Sequence, residues 1–228
     1  MIHAILFDLD GTLVDTAPEI ADAVNNCMKR LGLPNVGLAL VRSWIGQGTR
    51  STFTSALTHA GIPAHSISQH WASFAYDYSE RCGSSGQVYP GAQAALQRLR
   101  DLGLRLGVVT NKEGSFAHRV LVRHGLSEYF DVVVGGDSLS VRKHHPRMLT
   151  HALDAIDYAP SQALFIGDSV HDVHTARAAC VPIWAVRHGY HNDLLHGIDQ
   201  PDRWLDSFDQ LGVSSWQFER SKNMRICS

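Results

Sequence analysis

The stretch Ala4-Ile5-Leu6-Phe7-Asp8-Leu9-Asp10-Gly11-Thr12 decides the fold. Four consecutive apolar side chains without polar alternation describe a strand buried on both faces, the kind found in parallel sheets covered by helices. The run ends in two aspartates spaced i, i+2, followed by Gly-Thr. In extended backbone that spacing turns both carboxylates to the same side. Asp-Gly by itself is common turn chemistry. The meaning of the pair therefore depends on what the rest of the chain brings to the same edge.

Further short apolar runs lie at 104–109, 131–134, 163–166 and 182–186, each ending in polar or glycine residues. Helical patterns at 92–102, 115–124, 146–156 and 172–179 separate them, the first marked by Leu96, Leu99 and Leu102. Strand alternating with helix predicts an α/β fold, a Rossmann-like parallel sheet core with helices on both faces. The segment 16–88 breaks the alternation, with no strand-like run. Amphipathic stretches at 18–31, 38–45, 49–60 and 66–82 are punctuated there by Gly32-Leu33-Pro34, Gly61-Ile62-Pro63 and Gly83-Ser84-Ser85-Gly86. The expected organisation is a discontinuous catalytic core, 1–15 and 89–228, with an inserted α-helical cap domain at 16–88. Thr16-Ala17-Pro18 and the segment 85–90 would be its hinges. The tail after Leu211 shows no clear pattern and is assigned no role.

Composition narrows the function classes. The 228 residues carry 20 Lys+Arg against 22 Asp+Glu, a net charge of −2, with a pI near 6.7. This balance gives no electrostatic basis for a nucleic-acid or membrane-surface partner. No apolar run is long enough to span a bilayer. The start lacks a basic region and a cleavage signal, so it does not read as a signal peptide. A soluble, cytoplasmic protein is expected. Cys27, Cys82, Cys180 and Cys227 are far apart, which predicts free thiols in a reducing compartment. The 14 histidines are scattered; only His144-His145 and His171 with His174 lie near the strand-end residues, and a metal site made of them alone is not expected.

In an open parallel sheet, ligands bind beyond the carboxyl ends of the strands. The residues there are Asp8 and Asp10, then Thr110-Asn111-Lys112, then Lys143, then Gly167-Asp168-Ser169 with Asp172 behind. Three carboxylates in one crevice repel unless a hard cation joins them, and Mg²⁺ suits carboxylate, carbonyl and phosphate oxygens. With the charge neutralised, a phosphate dianion can approach an aspartate nucleophile. The second carboxylate can then serve as acid and base. Lys143, Thr110 and Asn111 would hold the phosphoryl oxygens as charge redistributes.

The series Asp8-x-Asp10-Gly11-Thr12, Thr110-Asn111, Lys143 and Gly167-Asp168-Ser169-x-x-Asp172 resembles the haloacid dehalogenase-type hydrolase superfamily over nearly the whole chain up to the tail. The resemblance implies that Asp8 is nucleophile and metal ligand. It makes Asp10 the acid/base, binding the metal through its main-chain carbonyl, and Asp168 a further ligand. Thr110 and Asn111 take phosphate-binding positions, Lys143 the charge-stabilising one, and Ser169 and Asp172 lie behind the metal. The insert matches a C1-type cap. Asp10 points to phosphate chemistry rather than dehalogenation, and Lys29, the cap's lone lysine, reads as an exposed helix position rather than a Schiff-base former. The stretches LFDLDGTLVDTAPEIADAVN, VRSWIGQGTR, YPGAQAALQRLRDLGLRLGVVTNK and GDSVHDVHTARAA resemble the phosphoglycolate phosphatase subfamily. The implied reaction is Mg-dependent hydrolysis of 2-phosphoglycolate, or of another small phosphorylated metabolite, by a monomer or homodimer. A phosphomutase, a pyrophosphatase and a catalytically silent binding module are the rival readings.

Within the expected cap, the glycine turn Trp44-Ile45-Gly46-Gln47-Gly48 is flanked by Arg42 and Arg50. Arg42, Gly46 and Arg50 are the candidates for substrate specificity, since an arginine can pair with a carboxylate. Two departures from the superfamily pattern stand out. Lys143-His144-His145-Pro146 keeps the lysine and the last proline of a Lys-Pro-x-Pro motif, and Cys180 stands where a glycine commonly ends a helix.

Overall fold

The structure is a computed structural model, and residues 1–212 are described. The chain begins with β1 (Ala4–Phe7) and β2 (Val14–Asp15), then five helices: α1 (Ala17–Arg30), α2 (Leu38–Trp44), α3 (Thr49–His59), α4 (Ala64–Ile67) and α5 (Trp71–Arg81). It returns through β3 (Gln87–Val88) and continues as α6 (Ala92–Asp101), β4 (Arg105–Val109), α7 (Gly114–Arg123), β5 (Val132–Val134) and α8 (Arg147–Asp154). Next come β6 (Ala163–Gly167), α9 (Val170–Ala178), β7 (Ile183–Val186) and β8 (Arg203–Leu205).

Six strands form one parallel sheet in the order β5-β4-β1-β6-β7-β8. The period of two in β1 divides its side chains between two cores. Ile5 and Phe7 face α6 and α7, while Ala4 and Leu6 face α8 and α9. Both faces are thus covered, as the unbroken apolar run requires. Register then places the chemistry. Phe7 sits opposite both Val108 and Ile166, so Asp8, Thr110 and Asp168 emerge side by side at one edge.

The helical block hangs on a two-residue antiparallel ribbon, Val14 opposite Val88 and Asp15 opposite Gln87. These strands are too short to leave a pattern in the sequence, and β8 was likewise not anticipated. The block shares its core with the α6/α7 face of the sheet. Phe53 of α3 stacks on Phe74 of α5 at 4.6 Å, Phe74 on Tyr78 at 6.0 Å, and Tyr78 meets Phe116 of α7 edge-on at 4.9 Å. Each such buried ring contributes about 1.5–3 kcal/mol, and this ladder carries the packing from block to sheet.

The expectation of four free thiols needs correction. Cys27 and Cys82 are free and buried, but Cys180 is disulfide-bonded, and Cys227 lies outside the described residues. Cys180 also has φ of +55°, so the position after α9 is left-handed, the conformation for which glycine is the usual choice. Among the described residues, no helix is long and apolar enough to cross a membrane.

Candidate active site

Asp8 stands where β1 ends and is 5% exposed. Lys143 Nζ lies 2.8 Å from its Oδ1, within ion-pair range though off the line of a well-directed hydrogen bond. The same ammonium donates to Asp172 Oδ1 at 2.7 Å. Asp172 is fully committed. Its Oδ2 accepts from the main chain of Asp168 and Ser169 at 3.1 and 3.0 Å and from Ser169 Oγ at 2.7 Å. Ser169 is also the N-cap of α9, in a reciprocal capping box with Asp172. Asp172 therefore holds both the turn that carries Asp168 and the lysine that faces Asp8.

Asp168 receives the main-chain N–H of Tyr190 at 2.7 Å on Oδ2 and the Thr12 hydroxyl at 3.3 Å on Oδ1. Gly11 makes this approach feasible. With φ of +81°, it is also so close that a Cβ would stand 2.6 Å from Asp168 Oδ2. Neither Thr12 nor Tyr190 stood out in the sequence as a partner of Asp168. Asn111, expected on phosphate, lines the cavity described below and also orders its surroundings. Its side chain accepts from Lys143 N at 2.8 Å and donates to Lys143 O at 3.3 Å and Gly46 O at 2.9 Å. It fixes the lysine loop and ties it to the helical block. The Thr110 hydroxyl accepts from Lys112 N at 3.3 Å, and Thr110 lines the cavity described below.

Burial raises the Asp8 carboxyl to about 6, with Lys143 opposing and Asp172 and Asp10 adding to the rise. Burial likewise lifts Asp168 well above the usual carboxylate range, reinforced by the charges of Asp172 and Asp8. Burial also pushes Asp172 upward, but Lys143 and Ser169 outweigh it and hold the group below its ordinary value. Lys143 is raised because the two carboxylates overcome its desolvation. Asp8, Asp168 and Asp172 each offer an oxygen within 4.8 Å of the others. Three buried carboxylates thus share one lysine, an excess of negative charge in an all-oxygen donor set. That chemistry fits a hard divalent cation. Since Asp172 is occupied by its donors, Asp8 and Asp168 are the carboxylates left to face one.

Asp10 points away from this group. Its two oxygens take Lys112 Nζ at 2.8 and 3.0 Å, and the Thr16 hydroxyl donates to Oδ1 at 2.6 Å. Lys112 is 1% exposed, its ammonium 5.1 Å from the Tyr78 ring centroid. Burial lowers its proton affinity, yet Asp10, Cys82 and Glu19 raise it further, so the net direction is upward. The sequence placed this lysine among the strand-end residues but gave it no role. Its signal was its place, two residues after Thr110 at a strand end that meets buried acids.

A small cavity separates these groups from the helical block, lined by Asp8, Asp10, Gly46, Thr49, Thr110 and Lys112 among others. Gly46 reaches it, but Arg42 and Arg50 are occupied elsewhere. Arg42 pairs with Asp15 at 3.1 Å and lies over Tyr190, and Arg50 lies over Trp71. The block is latched onto the sheet beside the cavity. Glu113 accepts the main-chain N–H groups of Thr49 and Arg50 at 3.2 and 3.3 Å, so a core carboxylate sits on the N-terminus of α3. Arg142 donates to Gln47 O at 3.2 Å, and His191 Nε2 lies 2.5 Å from Ile45 O. Gly48, with φ of +95°, lets the backbone pass so near Asn111 that a Cβ would stand 2.6 Å from its carbonyl oxygen.

The chain matches the model of the family described as haloacid dehalogenase-like hydrolase over residues 5–186. It is 38% identical over 214 residues to a phosphoglycolate phosphatase of Nitrosococcus oceani, covering 91% of this chain and 93% of that one. A plasmid-encoded phosphoglycolate phosphatase of Cupriavidus necator is 40% identical over 188 residues, covering 82% and 81%. Among solved structures, a predicted phosphoglycolate phosphatase from Haemophilus somnus superposes with a TM-score of 0.83 at 29% identity, covering 92% of this chain and 96% of that one. A strand-end aspartate facing a shared lysine, on a fold matched this far, places the chain in the haloacid dehalogenase-like hydrolase family.

Proposed function

We propose that this protein hydrolyses small phosphomonoesters through an aspartyl-phosphate on Asp8, with 2-phosphoglycolate as substrate and Mg²⁺ as cofactor. The observation that carries the reading is the division of labour between two neighbouring carboxylates. Asp8 sits with the phosphate-side lysine Lys143, and Asp10 with a separate lysine, Lys112. Relatives named phosphoglycolate phosphatase support the substrate.

Asp8, Asp168 and the Asp10 main-chain carbonyl would hold the cation, which supplies charge neutralisation for an approaching phosphate dianion. An Asp8 oxygen attacks phosphorus while the bond from phosphorus to the ester oxygen breaks. Asp10, having taken up a proton from solvent as the substrate enters, passes it to the departing oxygen, releasing glycolate. Asp10, now a carboxylate, takes a proton from water as that water attacks phosphorus, the bond to Asp8 breaks, and phosphate leaves. Lys143, fixed by Asp172, faces the transferring oxygens in both halves. The segment 16–88 acts as a cap that excludes bulk water from the intermediate. The protein is read as cytoplasmic, acting as monomer or homodimer on a free metabolite.

The test is phosphate release from a panel of small monoesters, with Mg²⁺ and with chelator. The highest kcat/KM on 2-phosphoglycolate, abolished by chelation, is the expected result. A sugar phosphate as best substrate would overturn the substrate assignment, and turnover that survives chelation would overturn the cofactor.

A further inference from the structure

The cavity poses a recognition question that the expected residues do not answer. A carboxylated phosphomonoester brings two anionic ends, and Lys143 is already assigned to the phosphate side by Asp8 and Asp172. Arg42 and Arg50, the cations expected to meet the other end, do not line the cavity. One ammonium does. Lys112 is buried, lines the cavity and stands beside Asp10. A lysine ammonium has three donors, and the two Asp10 oxygens take two of them.

A second group on the cavity wall lacks a partner. The Thr49 hydroxyl is buried, the residue being 2% exposed, and its oxygen makes no hydrogen bond. A buried unsatisfied hydroxyl costs about 1–3 kcal/mol, so it marks a place where a ligand atom belongs. Its own main-chain N–H is held by Glu113, which fixes its position at the start of α3. Thr49 belongs to the helical block and Lys112 to the sheet edge, so the two approach the cavity from opposite walls.

We propose that Lys112 and the Thr49 hydroxyl form the receptor for a carboxylate on the substrate, making the enzyme selective for short carboxylated phosphomonoesters over neutral ones of equal size. This rests on the reading of the protein as a phosphomonoester hydrolase. One remaining ammonium donor and one hydroxyl match the two oxygens of a carboxylate. The cavity is small and walled by Ile20, Ile45 and the 46–48 turn beside these polar groups, which favours a substrate of few carbons. Receptor and acid/base are also adjacent, since the same ammonium holds Asp10. A substrate carboxylate on the remaining donor shares the ammonium's charge with Asp10, and this weaker hold loosens Asp10 toward the departing oxygen. Selectivity then enters kcat as well as KM, because a neutral substrate leaves Asp10 held by the lysine.

The test compares 2-phosphoglycolate with 2-hydroxyethyl phosphate, which replaces the carboxylate by a neutral hydroxymethyl group. The readout is the ratio of the two kcat/KM values in wild type, Lys112→Met and Thr49→Val. Thr49→Val keeps the side-chain shape and removes only an unpartnered oxygen, so it remains informative if Lys112→Met folds poorly. The wild-type ratio is expected to exceed roughly tenfold, to approach one in Lys112→Met and to fall about threefold or more in Thr49→Val. A loss of fold or of general catalysis lowers both rates and leaves the ratio unchanged. A large wild-type ratio preserved in both variants overturns the receptor while the phosphatase reading stands. A wild-type ratio near one removes the receptor together with the substrate assignment, and absence of turnover on either ester removes both along with the reaction class.

Discussion

At Lys143 a single buried ammonium serves two buried carboxylates, 2.8 Å from Asp8 and 2.7 Å from Asp172. Removing it leaves both acids without a counter-charge. Lys143→Ala is expected to destabilise the fold by about 3–5 kcal/mol and to abolish turnover, measured by denaturant titration and phosphate release. Asp8 behaves in the opposite sense. Its folded carboxyl is raised from the ordinary 3.8 to about 6, so the stability tied to it is full below about 4 and is lost as pH climbs through 6. That displacement is worth about 3 kcal/mol. Without metal, Asp8→Asn should therefore melt above wild type at pH 7.5, with the gap closing toward pH 5. A variant that melts below wild type at pH 7.5 would show that the charge is not strained. At this scale the sequence was informative where function needs an acid at a strand end, as with Asp8, Asp168 and Lys143. It gave no contacts for Lys112, Thr12 and Tyr190, because their partners come from elements far away in the chain, and spacing does not encode that contact.

Among the elements, α3 depends on a partner outside itself. Its N-cap is Gly48, which offers no side chain, and the Glu113 carboxylate takes the role from the start of α7. Glu113→Gln keeps the shape and removes the charge that complements the helix dipole, at a cost of about 1 kcal/mol. Because the contact joins the helical block to the sheet, the expected signature is a several-fold rise in KM for 2-phosphoglycolate, read by steady-state kinetics. The ladder Phe53, Phe74, Tyr78 and Phe116 holds the same interface by packing. Phe74→Ala should cost about 3–5 kcal/mol by calorimetry. The principal strands and helices were legible because each carries a long apolar or amphipathic run. The ribbon of β2 and β3 has two residues per strand, and β8 has three, Arg203–Leu205, on the sheet edge. Segments so short show no period, and pairing alone makes them strands.

For the molecule as a whole, the sheet edge carries the charge pattern and the helical block covers it. Asp8, Asp168 and Asp172 cluster on one side with Lys143, while Asp10 and Lys112 stand between them and the block. A divalent cation relieves the excess of buried negative charge, so Mg²⁺ should raise the melting temperature, and more at pH 7.5 than at pH 5, where Asp8 is protonated. Scanning calorimetry at the two pH values checks this, and an equal effect at both would contradict it. The central claim concerns one oxygen of Asp8, and the most direct measurement is phosphate release from 2-phosphoglycolate by wild type and Asp8→Asn at saturating Mg²⁺. The account predicts that Asp8→Asn, which keeps the size of the side chain but not its nucleophile, loses at least about 10⁴-fold in kcat. A variant that retains turnover within tenfold of wild type would contradict it.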